Sequence, residues 1–139
     1  MSTRIWLRRA YDAPGPNDGC RVLIDRVWPR GVTRAALALD AWPRDIAPST
    51  TLRRWYGHRP ERWEEFRARY RDELAEDDRH EMLLALARLA RTRRVTLVFG
   101  ARDVAHSHAQ VLREALDALI ASKTETGTSF VTARSGATG

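Results

Sequence analysis

Two short segments of the sequence concentrate side chains that bind anions and transfer protons. The first reads Asp25-Arg26-Val27-Trp28-Pro29-Arg30-Gly31, and the second reads Gly100-Ala101-Arg102-Asp103-Val104-Ala105-His106-Ser107-His108. Arginine holds a carboxylate or a phosphate through paired hydrogen bonds, and histidine gains or loses a proton near neutral pH. The two segments therefore predict a site for an anionic small molecule, where the imidazoles are suited to acid–base work.

Each segment directly follows a stretch with the pattern of a buried β-strand. Residues 21–25 read R-V-L-I-D and residues 94–99 read R-V-T-L-V-F, while residues 3–9 alternate as a third strand. Ligands of open α/β sheets gather at the carboxyl ends of the strands, and a helix that starts near Ser107 favours an anion there. If the two strands are neighbours, five side chains converge on one cleft: Arg26, Arg30, Arg102, His106 and His108.

The remaining segments predict the helices that position these loops. Thr33 caps a short helix through Leu37, and a second begins at Ser49 or Thr50 and ends at Gly57. A longer helix starts at Pro60 with the apolar stripe Trp63, Phe66, Tyr70 and Leu74, another spans about His80 to Arg91, and the last runs from about Ser107 to Ala121. We predict one α/β domain over residues 1–122, with a small, mostly parallel sheet flanked by helices, and a disordered C-terminal tail over residues 123–139.

Composition narrows the class of protein further. The chain of 139 residues carries a net charge of +6, and all but one of its 24 basic residues, Lys123, are arginine. A nucleic-acid-associated or regulatory module is therefore the alternative, with Trp28 or Trp42 contacting phosphates and bases; either ring is also a candidate for a contact with a partner protein. Many arginines alternate with acids in residues 61–78, which is typical of a solvated helix face. With one cysteine, Cys20, and no apolar leader or span, we predict a cytoplasmic protein without a membrane association.

Structural interpretations of the same residues stay open beside the functional ones. Asp25 and Arg26 are at least as well explained by salt bridges within the loops, Asp103 by a turn, and His58 by a helix C-terminus. The i,i+2 spacing of His106 and His108 directs the two imidazoles apart, so no metal and no cofactor is predicted. The oligomeric state is not determined by the sequence.

The chain resembles the YeaO-like family of small bacterial proteins, part of the DUF488 superfamily. The likeness runs from about Ile5 to Leu119 and includes residues 21–31, Ala47-Pro48-Ser49, Leu52-Arg53, Gly57-His58, and residues 101–103 and 106–109. It implies an α/β fold and no established substrate. More distant members resemble a Cys-His-Arg pattern where this chain has Ser107-His108-Ala109, so the resemblance implies no thiol mechanism here. The predicted catalytic residues are His108, His106 and Asp25, and the predicted ligand-binding residues are Arg26, Trp28, Arg30, Arg53, His58 and Arg102.

Overall fold

Three short parallel strands form the sheet in a computed structural model that describes residues 5–129, with side chains as far as residue 122. The strands are β1 (Ile5–Arg9), β2 (Cys20–Leu23) and β3 (Val95–Phe99), and their order in the sheet is β1-β3-β2. β3 lies in the centre with all of its residues buried, as its apolar sequence predicts. The predicted α/β class with a small parallel sheet is confirmed. Thr3 of the predicted first strand lies outside the described residues.

Within residues 5–129, five α-helices surround the sheet. They are α1 (Arg34–Leu37), α2 (Thr50–Tyr56), α3 (Trp63–Leu74), α4 (Asp77–Ala90) and α5 (His108–Ser129). Three short 3-10 turns, Arg44–Ile46, Pro60–Arg62 and Val104–His106, lead into α2, α3 and α5. None of the helices within residues 5–129 is long and apolar enough to cross a membrane.

The predicted helix caps of α1 and α2 are present. The Thr33 hydroxyl accepts a hydrogen bond from the Ala36 amide at 3.0 Å, and the Ser49 hydroxyl accepts one from the Leu52 amide at 3.1 Å. Gly57 ends α2 in the left-handed region at φ 51°, where a residue without Cβ meets no steric penalty. The side-chain oxygens satisfy amides that have no partner within the helix, so the sequence places these helix starts correctly.

Helix boundaries are where the sequence prediction is wrong. The chain turns through a 3-10 segment at Pro60, so α3 begins only at Trp63. α4 begins at Asp77, before the predicted His80, because the carboxylates of Asp77 and Asp78 suit the positive end of the helix dipole. α5 continues to Ser129, past the predicted start of the tail at residue 123, since each residue added to an existing helix gains a backbone hydrogen bond. The rest of the predicted tail, residues 130–139, lies outside the described residues.

The two faces of the sheet bury cores of different size. Because side chains alternate along a strand, Val22 and Leu97 face the larger core under α2 to α5, whereas Leu23 and Val98 face the smaller one under α1. The predicted stripe on α3 enters the larger core: Phe66, Tyr70 and Leu74 are buried there and Trp63 is half-buried at its edge. The smaller core is completed by the half-buried rings of Trp28 and Trp42.

Candidate functional site

A cavity of about 540 Å³ lies at the carboxyl edge of the sheet, where the chain leaves β2 and β3. β2 and β3 are hydrogen-bonded neighbours, so the two loops singled out in the sequence do meet. α2 and the residues just before and after it close the third side of the cavity. The structure brings seven of the nine predicted site residues together in its lining: Asp25, Arg26, Arg53, His58, Arg102, His106 and His108.

Asp25 holds the two strand ends together and leaves one oxygen unused. Its Oδ2 accepts a hydrogen bond from the Gly100 amide at 2.9 Å, which ties the loop after β2 to the loop after β3. Its Oδ1 is buried and has no hydrogen-bond partner among the described residues. A buried carboxylate oxygen that accepts no hydrogen bond is unfavourable unless a positive charge or a donor lies close to it.

His108 stands beside Asp25 at the start of α5, with 15% of its side chain exposed. Its Nε2 lies 3.1 Å from the Ile24 carbonyl oxygen and 3.1 Å from Asp25 Oδ1. A carbonyl only accepts, so Nε2 carries a proton and donates it to Ile24. That N–H is not aligned on Asp25 Oδ1, which is why the close approach leaves the carboxylate oxygen without a hydrogen bond.

Arg26 is largely engaged by the fold. Nη1 donates to Asp45 Oδ1 at 3.1 Å, and Nη2 donates to the carbonyls of Ala47 at 3.3 Å and Pro48 at 3.4 Å. Most contacts of Arg26 are therefore structural, which is one of the two interpretations that the sequence left open. The sequence did not indicate Asp45 as its carboxylate partner. Its Nε is buried without a hydrogen-bond partner among the described residues.

His106 is oriented by Asp103 and by an aromatic ring. Asp103 Oδ2 lies 2.8 Å from His106 Nδ1, and Oδ1 accepts from the His106 amide at 3.2 Å, so Asp103 is the turn residue that the sequence suggested. The hydrogen bond from the His106 side chain holds the pKa of Asp103 below its usual value. The Trp63 ring packs edge-on at 5.4 Å from the imidazole. Because Nδ1 faces the carboxylate, Nε2 is the nitrogen left for a ligand.

Three cationic or imidazole side chains that line the cavity form no hydrogen bond or ion pair with the rest of the described chain. Arg53, His58 and Arg102 are exposed, and none of the three has a hydrogen-bond or ion-pair partner among residues 5–122. His58 adopts a left-handed backbone conformation at φ 58°, just after the left-handed Gly57. For a residue other than glycine this conformation is uncommon, and it carries the His58 side chain past the end of α2.

Trp28 and Arg30 do not line this cavity, which corrects the predicted convergence of the first loop. The Trp28 ring packs against Trp42 with centroids 5.5 Å apart, and Trp28 Nε1 donates to the Val32 carbonyl at 2.6 Å. Trp42 Nε1 donates to the Asp25 carbonyl at 2.7 Å, so neither indole N–H is available to a partner. Trp28 already packs in the smaller core on the other face of the sheet, and exposed Arg30 is not among the residues that line the cavity.

Two features of the cavity were not predicted from the sequence: an apolar wall, and hydrogen bonds from the end of β1 to the loop after β3. Tyr56 and Phe66 stack with centroids 4.3 Å apart and line the cavity; burial raises the pKa of Tyr56, whose hydroxyl donates to the His106 carbonyl at 2.7 Å. Arg9, at the end of β1, donates from Nε to the Ala101 carbonyl at 2.9 Å and from Nη2 to the Gly100 carbonyl at 3.2 Å. The sequence could have indicated Arg9, because this residue ends the third parallel strand and so lies at the same edge of the sheet.

The donor set of the cavity suits an anionic organic molecule rather than a metal ion. Within the described residues, no group of three or more histidine, cysteine, aspartate or glutamate side chains is arranged to hold a metal. Ser107 is buried, and its hydroxyl donates to the Val104 carbonyl at 2.8 Å. Among residues 5–122, the lining groups that form no hydrogen bond or ion pair are the exposed side chains of Arg53, His58 and Arg102.

The fold and site define a small α/β domain with an arginine- and histidine-lined cavity at its strand ends. The chain belongs to the DUF488 family, because the family model described as "Inactive DUF488-N3 subclade" matches residues 4–132. It is 43% identical over 115 residues to the uncharacterised protein Rv3073c of Mycobacterium tuberculosis, which covers 83% of this chain and 95% of the relative. It is 37% identical over 115 residues to the uncharacterised protein YeaO of Escherichia coli, covering 83% and 98%. No solved structure matches the chain significantly. The YeaO-like resemblance is confirmed.

Proposed function

We propose that this protein binds a small anionic molecule in the cavity at the carboxyl edge of the sheet. The observation that carries the proposal is that three exposed side chains without a hydrogen bond or ion pair among residues 5–122 line the same cavity: Arg53, Arg102 and His58. Its volume of about 540 Å³ fits a metabolite-sized ligand, and Tyr56 and Phe66 supply an apolar wall. Arg53 and Arg102 are the proposed contacts of the anionic group, since their guanidinium groups are free to form paired hydrogen bonds.

Binding is favoured over turnover by the state of the candidate catalytic groups. His108 Nε2 is committed to the Ile24 carbonyl, and the Ser107 hydroxyl is committed to the Val104 carbonyl, so neither is poised as a base or a nucleophile. The matching subclade is described as inactive, which supports a role without covalent chemistry. Asp25, His106 and His108 then act in recognition: each is placed to orient or contact the ligand.

The nucleic-acid alternative receives no support from the contacts of the side chains that suggested it. Arg67, Arg69 and Arg71 on α3 form ion pairs with Glu64, Glu65 and Glu114. The rings of Trp28 and Trp42 pack against each other and are half-buried, so they are not free to stack on bases. We therefore do not propose it.

The test is a calorimetric titration with inorganic phosphate at constant pH and ionic strength. We expect saturable binding to the wild type and a loss of about tenfold or more in affinity for each of Arg53→Ala and Arg102→Ala, because each removes a charge-assisted contact. The matched control is Arg54→Ala, which removes the same charge from the next residue of α2 but does not touch the cavity.

Each outcome of this titration decides the proposal. Weakening by Arg53→Ala and Arg102→Ala, with Arg54→Ala within about twofold of the wild type, supports a site at the cavity. Equal weakening by all three would show a general effect of charge, and an absence of binding to the wild type would also overturn the proposal.

A further inference from the structure

The outer side of α4 carries opposite charges that are separated along the helix. Asp77 and Glu81 lie in its first half, whereas Arg88 and Arg91 lie at its end. None of these four side chains forms an ion pair among residues 5–122. A helix rises about 1.5 Å per residue, so Glu81 and Arg88 are about 10 Å apart along the axis, too far to pair. The helix dipole favours acids in the first turn and bases in the last, but Glu81 lies in the second turn.

The outer face of α3 shows the arrangement that α4 lacks. Arg69 pairs with Glu65 one turn earlier, and Arg67 lies within ion-pair distance of Glu64. Opposite charges three or four residues apart on an exposed helix satisfy each other in this way. The separated charges of α4 therefore distinguish it from an ordinary solvated helix of the same protein.

A leucine lies between the two charged groups, on the same side of α4. The residues Asp77, Glu81, Leu84, Arg88 and Arg91 follow one another at intervals of four, three, four and three, and so form one stripe along the helix, which we call the α4 stripe. The buried residues of α4 centre on a different side of the helix. Leu84 is half-buried and is not among the apolar side chains that pack against either core.

The order of the charges makes the α4 stripe complementary to itself. When the α4 helices of two copies lie antiparallel, Leu84 can pack against the same residue of the partner subunit. Asp77 then faces Arg91, which lies as many residues after Leu84 as Asp77 lies before it. Glu81 faces Arg88 by nearly the same symmetry, and a two-fold axis forms each ion pair twice. A parallel arrangement would place acid on acid and base on base.

We propose that the α4 stripe is an interface between two copies of this chain, which pack α4 against α4 in antiparallel orientation. The partner is a second copy because both halves of the complementary pattern lie on one helix. Exposed ion pairs contribute little each, so the dimer is weak and forms at high protein concentration. None of the five residues lines the cavity, so this inference does not depend on the proposed function.

The test is sedimentation equilibrium of the wild-type chain over a range of concentrations. We expect monomers to give way to dimers as the concentration rises toward about 1 mM. A wild type that stays monomeric at about 1 mM overturns the inference.

Charge reversal assigns the dimer to the α4 stripe. Glu81→Arg and Arg88→Glu each place like charges across the contact, so each should raise the dissociation constant by about tenfold or more. Arg88→Glu also lowers the net charge of +6, so a general effect of charge would strengthen the dimer instead. The double variant Glu81→Arg/Arg88→Glu restores opposite charges and should associate within about threefold of the wild type. An equimolar mixture of the two single variants should likewise form dimers.

The matched control reverses an ion pair within one chain. Arg69→Glu makes the same change of charge on α3, where Arg69 already pairs with Glu65, and should leave the dissociation constant within about threefold of the wild type. Weakening by Arg69→Glu as large as that by Arg88→Glu, or a double variant that stays monomeric although its melting temperature shows it to be folded, contradicts the assignment to α4. The wild-type measurement stands as a test even if a variant fails to fold.

Discussion

Asp18 and Asp25 flank the two ends of β2, and their carboxylates differ in how far the fold satisfies them. Asp18 has 2% of its side chain exposed: Oδ1 accepts from Arg8 Nε at 3.1 Å, and Oδ2 accepts from the Gly15 amide at 2.9 Å and from Arg21 Nη1 at 2.6 Å. In Asp25 only Oδ2 accepts a hydrogen bond from the fold; Oδ1 accepts none in the described part of the chain, although His108 Nε2 lies 3.1 Å from it. The difference separates a carboxylate whose two oxygens are both hydrogen-bonded within the fold from one that has an oxygen without a hydrogen bond.

Two arginines, Arg21 and Arg102, differ in the same way in how far the fold satisfies their guanidinium groups. Arg21 is buried, and its Nε and Nη2 donate to the Leu37 carbonyl at 3.0 Å and 2.8 Å. Arg102 is exposed on the cavity and has no partner among residues 5–122. The charged side chains at the start of β2 are thus held by hydrogen bonds within the fold, whereas the loops after β2 and β3 line a cavity.

The largest expected effect is on stability, at Asp18. Asp18→Ala removes the partner of buried Arg21, so we expect the free energy of unfolding in urea to fall by about 3–5 kcal/mol. The control is Asp45→Ala, which breaks the ion pair with Arg26 at a carboxylate that is 76% exposed and should cost about 1 kcal/mol or less. Similar losses for the two variants would contradict the structural role of Asp18.

The same carboxylate predicts how stability depends on pH. Burial alone would raise the pKa of Asp18, but the hydrogen bonds from the Gly15 amide and Arg21 and the charge of Arg8 outweigh it, so the pKa lies below its usual value. Its contribution is fully present above the unfolded-state value of about 3.9 and is lost as the pH falls through the lower folded-state pKa. The difference in stability between wild type and Asp18→Asn, followed by urea unfolding from pH 7 down to pH 2, should therefore shrink below about pH 4. A difference that stays constant to the lowest pH would argue against this linkage.

Replacing Arg26 should destabilise the protein more than replacing Arg102, although both residues line the cavity. Arg26→Ala loses contacts with Asp45, Ala47 and Pro48, so we expect the free energy of unfolding to decrease by about 1–2 kcal/mol. Arg102→Ala, at an exposed residue, should change it by about 0.5 kcal/mol or less. Chemical denaturation measures both, and a destabilisation by Arg102→Ala as large as that by Arg26→Ala would show that Arg102 is structural.

Asp25 should contribute much less to stability than Asp18. Asp25→Asn keeps an acceptor for the Gly100 amide and changes an oxygen that accepts no hydrogen bond in the described structure, so the free energy of unfolding should change by about 1 kcal/mol or less. Thermal and urea unfolding of Asp25→Asn and Asp18→Asn, measured side by side, compare the two carboxylates directly. A loss at Asp25 that equals the loss at Asp18 would remove the distinction between the two carboxylates.

Local sequence patterns predicted most of the fold. The apolar run of β3, the caps Thr33 and Ser49, and the stop at Gly57 rest on short-range physics, and each is confirmed. Because ligands of open α/β sheets bind at the carboxyl ends of the strands, we expected the loops of Asp25 and Arg102 at the same edge of the sheet, and the structure places them there. What the sequence did not supply depends on distant residues: Asp45 as the partner of Arg26, the stacking of Tyr56 on Phe66, and the turn that carries Trp28 to the opposite core.

Phosphate titration of the wild-type protein followed by amide proton–nitrogen NMR spectra tests the central claim most directly. We expect progressive shifts confined to residues 25–27, 53–58 and 100–108, which surround the cavity at the Asp25 end of β2, and no response at the saturated Asp18 end. Shifts that are spread over the arginine-rich faces of α3 and α4, or that centre on Asp18, would contradict a ligand site at the strand ends.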